Sequence, residues 1–120
     1  LHTIIPGMAT RNGRAVLAFG VMGGQYQAMG HAHLISNLVD FEMSLQEAVD
    51  CPRVFANADG TVDVERGIPA ETVAGLAARG HRTTIVDKPI GGAQAIAIEW
   101  EAGVLAGASD PRKDGSALGY

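Results

Sequence analysis

Phe19 to Arg53 reads FGVMGGQYQAMGHAHLISNLVDFEMSLQEAVDCPR, and the rest of the chain is organised around it. The stretch opens as the end of a strand, Phe19-Gly20-Val21-Met22. The adjacent glycines Gly23 and Gly24 follow, and a helical pattern begins behind them. Such a pair lets the backbone approach a ligand and turns successive N–H groups outward near a positive helix N-terminus. That arrangement can stabilise an oxyanion, although for two glycines by themselves a tight strand-to-helix turn is the plainer reading.

Helix one is predicted over about Ala28 to Val39. Ala28, Ala32, Ile35 and Val39 form an apolar stripe, widened by Leu34 and Leu38. Helix two starts at Ser44, where Ser44-Leu45-Gln46-Glu47 spells a capping box, and Pro52 stops it by about Asp50. Upstream, Asn12-Gly13 between apolar runs predicts a hairpin of strands at about 7–10 and 14–20. Apolar residues on both faces make the second of these a central strand. Downstream, Arg53 to Ala56 and Thr61 to Glu65 predict a second hairpin, turned at Asp59-Gly60. Pro69 begins helix three and Gly80 ends it, with Val73, Leu76 and Ala77 inward. Strands follow over His81 to Val86, Ala93 to Trp100 and Val104 to Ala108, and the tail is polar. Helices gathered behind a hairpin, with strands that look antiparallel, give an α+β fold with about three helices.

Several further words accompany the glycine pair in order. They are Asn37 to Arg53, Gly91-Gly92-Ala93-Gln94-Ala95-Ile96, and Gly107 to Gly115. Together with Gly23-Gly24 they resemble the C-terminal part of the small subunit of the γ-glutamyltranspeptidases, over nearly the whole chain. The resemblance implies part of an αββα N-terminal-nucleophile hydrolase sandwich. It implies transfer of a γ-glutamyl or related acyl group from an amide such as glutathione to water or an amine, with no cofactor. It gives Gly23 and Gly24 the oxyanion hole, where losing one donor costs a hydrolase ~3–4 kcal/mol.

The same resemblance places His2-Thr3 where the family carries two serines that bind the α-carboxylate of the glutamyl group. Thr3 keeps a hydroxyl to donate, whereas His2 departs from the pattern. That leaves open an amide acylase with non-glutamyl specificity, and a loop threonine without a ligand is the plain alternative. A catalytically silent structural or interaction module on the same fold is the other alternative. The family's nucleophile is an N-terminal threonine whose own amine serves as base, several dozen residues before the glycine pair. Only twenty-two residues precede Gly23 here, and Thr3 and Thr10 lack that setting. The partners implied are therefore the large subunit and the N-terminal part of the small subunit, with a small-molecule γ-glutamyl or acyl amide as substrate. The chain alone is expected to be inactive, and its open strand edges to favour self-association.

Length and composition bound the rest. A chain of 120 residues predicts a single domain, and 47% hydrophobic residues with only 5% aromatic ones predict an aliphatic core. A net charge of −4 without a basic run excludes a nucleic-acid surface, and no apolar run is long enough to span a bilayer. The chain begins with Leu1, as a processed product or a fragment does, and its compartment, cytoplasmic or exported, stays open. Cys51, the sole cysteine, reads as a packing residue. His31 and His33 stand at i and i+2, which do not share a helix face, so no metal site is expected. Asp40, Glu42 and Glu47 read as surface or capping carboxylates. Asp50 with Arg53, Gln94, and Asp110-Pro111-Arg112 read as structural links.

Overall fold

The computed structural model describes residues 3–120. The chain that length alone reads as one domain gathers its contacts into two compact units. One is built from the segments up to Asp50 and from Gly91 onward, the other from Cys51–Ile90.

In the first unit, β1 (Gly7–Arg11), β2 (Arg14–Met22), β6 (Gly92–Glu99) and β7 (Val104–Ser109) form an antiparallel sheet in the order β1-β2-β6-β7. Asn12 and Gly13 both take positive φ, the geometry that the two central residues of a tight hairpin require. At the same end, Trp100 Nε1 donates to the Ala15 carbonyl at 2.7 Å, and the Arg14 guanidinium lies 4.1 Å from the centre of its ring. Helices α1 (Gln27–Val39) and α2 (Leu45–Asp50) pack on the face that carries Val21, Ala93, Ala95 and Ala108. The opposite face presents apolar side chains to solvent, among them Met8 at 65% and Leu105 at 69% exposure.

Helix α1 begins and ends where the sequence predicts, but its buried side is rotated. Gln27, Gly30 and Leu34 are buried, while Ala28, Ala32 and Val39 are exposed. The cause is close approach. A Cβ on Gly30 would stand 2.5 Å from Val21 Cγ1, so the helix nestles on β2 through its glycine. Gln27 is tolerated inside because its amide donates to the Gly24 carbonyl at 3.3 Å.

Helix α2 is capped as predicted. The Ser44 N–H donates to Glu47 Oε2 at 2.9 Å, and the Glu47 N–H donates to Ser44 Oγ at 3.4 Å. The Ser44 hydroxyl, and then its N–H, hold the Glu47 carboxyl below the usual glutamate value. The other end of α2 is capped by Arg112, which donates to the carbonyls of Val49 and Asp50 at 3.3 and 3.2 Å. Arg112 also pairs with Asp110 at 3.2 Å. The fully buried Asp110 carboxylate accepts the Ala93 N–H at 2.6 Å, and Gln46 bridges to the Ser109 carbonyl at 3.0 Å.

The second unit holds β3 (Val54–Ala56), β4 (Thr61–Glu65), α3 (Ala70–Ala78) and β5 (Arg82–Val86), in the sheet order β3-β4-β5. β3 and β4 form the predicted antiparallel hairpin, and Asp59 Oδ1 closes its turn by accepting from the Thr61 hydroxyl and N–H. Those two bonds, the hydroxyl's first, hold the Asp59 carboxyl below the usual aspartate value. β4 and β5 pair in parallel, the exception to an otherwise antiparallel α+β fold. The reason is local: α3 intervenes, and parallel neighbours need a crossover that a helix supplies. Buried Glu65 accepts the Arg53 and Ile90 N–H groups, both at 2.9 Å, and Arg53 Nη1 donates to the Ile90 carbonyl. Each buried charge thus has partners, as burial demands.

Replacing Asp110 by Ala strands the Arg112 charge and orphans the Ala93 amide. The full-length protein carrying Asp110→Ala should lose ~3–5 kcal/mol in denaturant unfolding; a loss under about 1 kcal/mol, the scale of an exposed pair, contradicts this role. A lowered carboxyl value stabilises the fold above the unfolded value, and that gain is lost as pH falls through the folded one. Exchange protection of the Ala48 amide should therefore be higher in wild type than in Glu47→Ala near neutral pH. The two should converge in acid, and an equal gap at all pH values would contradict the capping box.

Candidate active site

β2 leaves the sheet at Met22, and the backbone at once takes an unusual course. Gly23 has φ 138° and ψ 23°, and Gly24 has φ 60°. Side-chain-bearing residues rarely adopt such values, so the turn depends on glycine at both positions. Space adds a second constraint at Gly23, where a Cβ would stand 2.9 Å from the Gly91 Cα. At Gly24 a Cβ would meet nothing within 4 Å. A single turn of 3-10 helix, Gly24–Tyr26, then leads into α1, and the Tyr26 N–H donates to the Gly23 carbonyl at 3.1 Å.

The Gly23 and Gly24 N–H groups have no acceptor among the described residues, and both glycines are exposed. Two successive unpaired amides at the head of a helix can donate to an anion. The floor beneath them is the second glycine pair. Gly91 has φ 69°, and a Cβ there would stand 2.7 Å from the Met22 carbonyl oxygen and 2.6 Å from the Tyr26 ring. Sequence reading singled out Gly91-Gly92 as a family word only. Its positive φ is the signal of a backbone packed too closely for a side chain.

The other sequence candidates fall in different places. The β1–β2 register sets Gly7 opposite Phe19, so the chain enters β1 at the end of the sheet where β2 leaves it. Thr3 precedes that point and is exposed, with no bond to its hydroxyl among the described residues. His2 lies outside the described residues. His31 and His33 hold structure near the turn: His31 Nε2 accepts the Val21 N–H at 3.2 Å, and His33 Nδ1 is hydrogen-bonded to the Tyr26 hydroxyl at 3.1 Å. The role of Tyr26 was missed in the sequence, where it sits as one exposed-looking residue between two glutamines. Gln94 lies under the C-terminal tail, where a Cβ on Gly115 would stand 3.1 Å from its amide nitrogen.

The family model for gamma-glutamyltranspeptidase matches residues 1–120. An acylase, the ACY 1 proenzyme of Pseudomonas sp. strain V22, is 38% identical over 114 residues; the match takes in 95% of this chain and 20% of that protein. The chain therefore spans about a fifth of the length of this curated relative. Among solved structures, a cephalosporin acylase from Bacillus halodurans superposes with a TM-score of 0.91 at 39% identity, covering 99% of this chain and 23% of that one. A gamma-glutamyltranspeptidase from Pseudomonas nitroreducens complexed with L-DON gives 0.88 at 26% identity, covering 100% of this chain and 63% of that one. Both neighbours are N-terminal-nucleophile hydrolases, and the α+β fold described above is theirs. The chain belongs to the gamma-glutamyltranspeptidase family.

Proposed function

We propose that this chain is the C-terminal part of the small subunit of an acyltransferase or hydrolase, and that the Gly23 and Gly24 N–H groups form its oxyanion hole. The observation that carries this reading is the pair of unpaired, exposed amides held at positive φ on the helix side of β2. When a nucleophile attacks an amide carbonyl, the oxygen becomes an anion. Donors already fixed in place stabilise it without reorganising. The threonine nucleophile, with its own amine as base, and the arginine that grips the substrate carboxylate belong to the parts of the protein that precede this chain. The exposed apolar face around Met8, Ile96 and Leu105 suits a second sheet supplied by those parts. The edges at β1 and β7 suit either that remainder or a second copy.

The family's activity is transfer or hydrolysis of γ-glutamyl or related acyl groups. Two matches favour the acyl side of that range. Proteins named as acylases stand at 38% and 39% identity, against 26% for the gamma-glutamyltranspeptidase with L-DON. His2 in place of a serine points the same way, because it removes a small hydroxyl that would pair with an α-carboxylate. We read the substrate as a small amide whose acyl group does not need that carboxylate, with Thr3 at the edge of the pocket. A catalytically silent module is disfavoured by the two exposed amides of the glycine turn, which the described residues leave without an acceptor.

In the full-length protein, Gly24→Ala keeps its N–H but strains the φ 60° turn and turns the donor aside, so kcat should fall by up to ~10²-fold, the scale of a misplaced group, while KM changes little. Gly24 is the better test than Gly23, because its Cβ has room. Wild-type kcat in a folded Gly24→Ala protein whose crystal structure shows the turn displaced rejects the oxyanion assignment. Glutaryl anilide should compete well with γ-glutamyl anilide as substrate. A preference for the γ-glutamyl compound of roughly a thousandfold or more, the scale set by a site built to pair with the missing group, overturns the acylase reading.

A further inference from the structure

We propose that His31 and His33 are positioning residues for the Gly23 and Gly24 amides, holding the turn at its two ends. The proposal rests on the oxyanion reading of that pair. Its basis is that two histidines on one helix reach opposite sides of the same short turn.

On the strand side, Val21 lies two residues beyond the Gly7–Phe19 rung where the β1 ladder stops. His31 takes over there. Its Nε2 accepts the Val21 N–H at 3.2 Å, and its ring sits edge-on to Phe19 with centroids 5.0 Å apart. On the helix side, the Tyr26 hydroxyl is bonded to His33 Nδ1 at 3.1 Å. The Tyr26 ring is only 2% exposed and fills the space above Gly30 and Gly91.

The backbone carries this anchoring to the amides. The Tyr26 N–H holds the Gly23 carbonyl at 3.1 Å, and the intervening peptide is trans. In a trans peptide the N–H points opposite to the C=O, so fixing the Gly23 carbonyl fixes the direction of the Gly24 N–H. Holding Val21 likewise fixes the course of the chain into Met22 and Gly23. The i, i+2 spacing puts the two rings on different helix faces, which lets each histidine serve a different end of the turn.

The test uses the full-length protein and the two anilides above. Leucine at either position removes the bond and keeps an apolar body. Glutamine at 31 places an amide oxygen near the Nε2 position, and asparagine at 33 places an amide near the Nδ1 position, so His31→Gln and His33→Asn restore the bonds. His31→Leu and His33→Leu should lower kcat by ~10–100-fold, the scale of a misplaced catalytic group. KM should stay within about twofold, because binding of the ground state does not use these donors. The Gln and Asn variants should recover most of the loss. If a leucine variant does not fold, Tyr26→Phe, which removes only the hydroxyl bonded to His33, should show the same fall in kcat.

Wild-type kcat in the folded leucine variants and in Tyr26→Phe overturns the proposal. So do Gln and Asn variants as impaired as the leucine ones. Gly24→Ala separates the two claims. If it lowers kcat while the histidine variants do not, only the positioning proposal falls; if it displaces the turn in a crystal structure yet leaves kcat unchanged, the oxyanion reading falls with it.

Discussion

The buried carboxylate of Asp110 holds together three pieces of the first unit that are distant in sequence. It fixes the start of β6 through the Ala93 N–H, and the Asp110 N–H returns a bond to the Ala93 carbonyl at 3.1 Å. It pairs with Arg112, which in turn caps the last carbonyls of α2. A fully buried carboxylate is expensive unless its charge and lone pairs are answered. Here they are answered by a guanidinium and backbone donors, so the knot holds only when all the parts are in place. Its reach extends to the candidate site, because Ala93 stands two residues from Gly91, and Gly91 is the floor on which the Gly23 turn rests.

That chain of dependence explains why glycines, rather than charged side chains, mark the site. The chemistry proposed for this part of the protein needs donors, and the backbone supplies them. What the side chains contribute is position. Tyr26 closes the gap above Gly91, Gln27 and the Tyr26 amide secure the first turn, and the two histidines tie it to β2 and α1. None of these groups needs to touch a substrate for the amides to be held ready.

Much of this was legible in the sequence where local chemistry decides. Asn12-Gly13, the Ser44 to Glu47 box and Gly80 each specify their turn or cap without help from the rest of the chain. The buried side of α1 was not legible. Hydrophobicity places Ala28, Ala32 and Val39 inward, whereas contact is made by Gly30 and Gln27, one with no side chain and one polar. The parallel pairing of β4 with β5 was missed because strand patterns carry no direction, although the helix between them was already in view. At the site, the glycine pair was visible, but the Gly91 floor and the His31 bond are tertiary. Val21 and His31, 10 positions apart, meet only because β2 and α1 pack closely, whereas Tyr26 and His33, 7 apart, sit two turns apart on one helical run.

The central claim concerns where an anionic oxygen would sit, and a crystal structure tests it most directly. The full-length protein would be crystallised with a boronic acid analogue of its acyl substrate, which forms a tetrahedral adduct on a hydroxyl nucleophile. The account predicts one boronate oxygen within ~2.7–3.1 Å of the Gly23 and Gly24 nitrogens, the reach of an oxyanion-hole donor. An adduct whose oxygens all find other donors, leaving both amides to solvent, would contradict it.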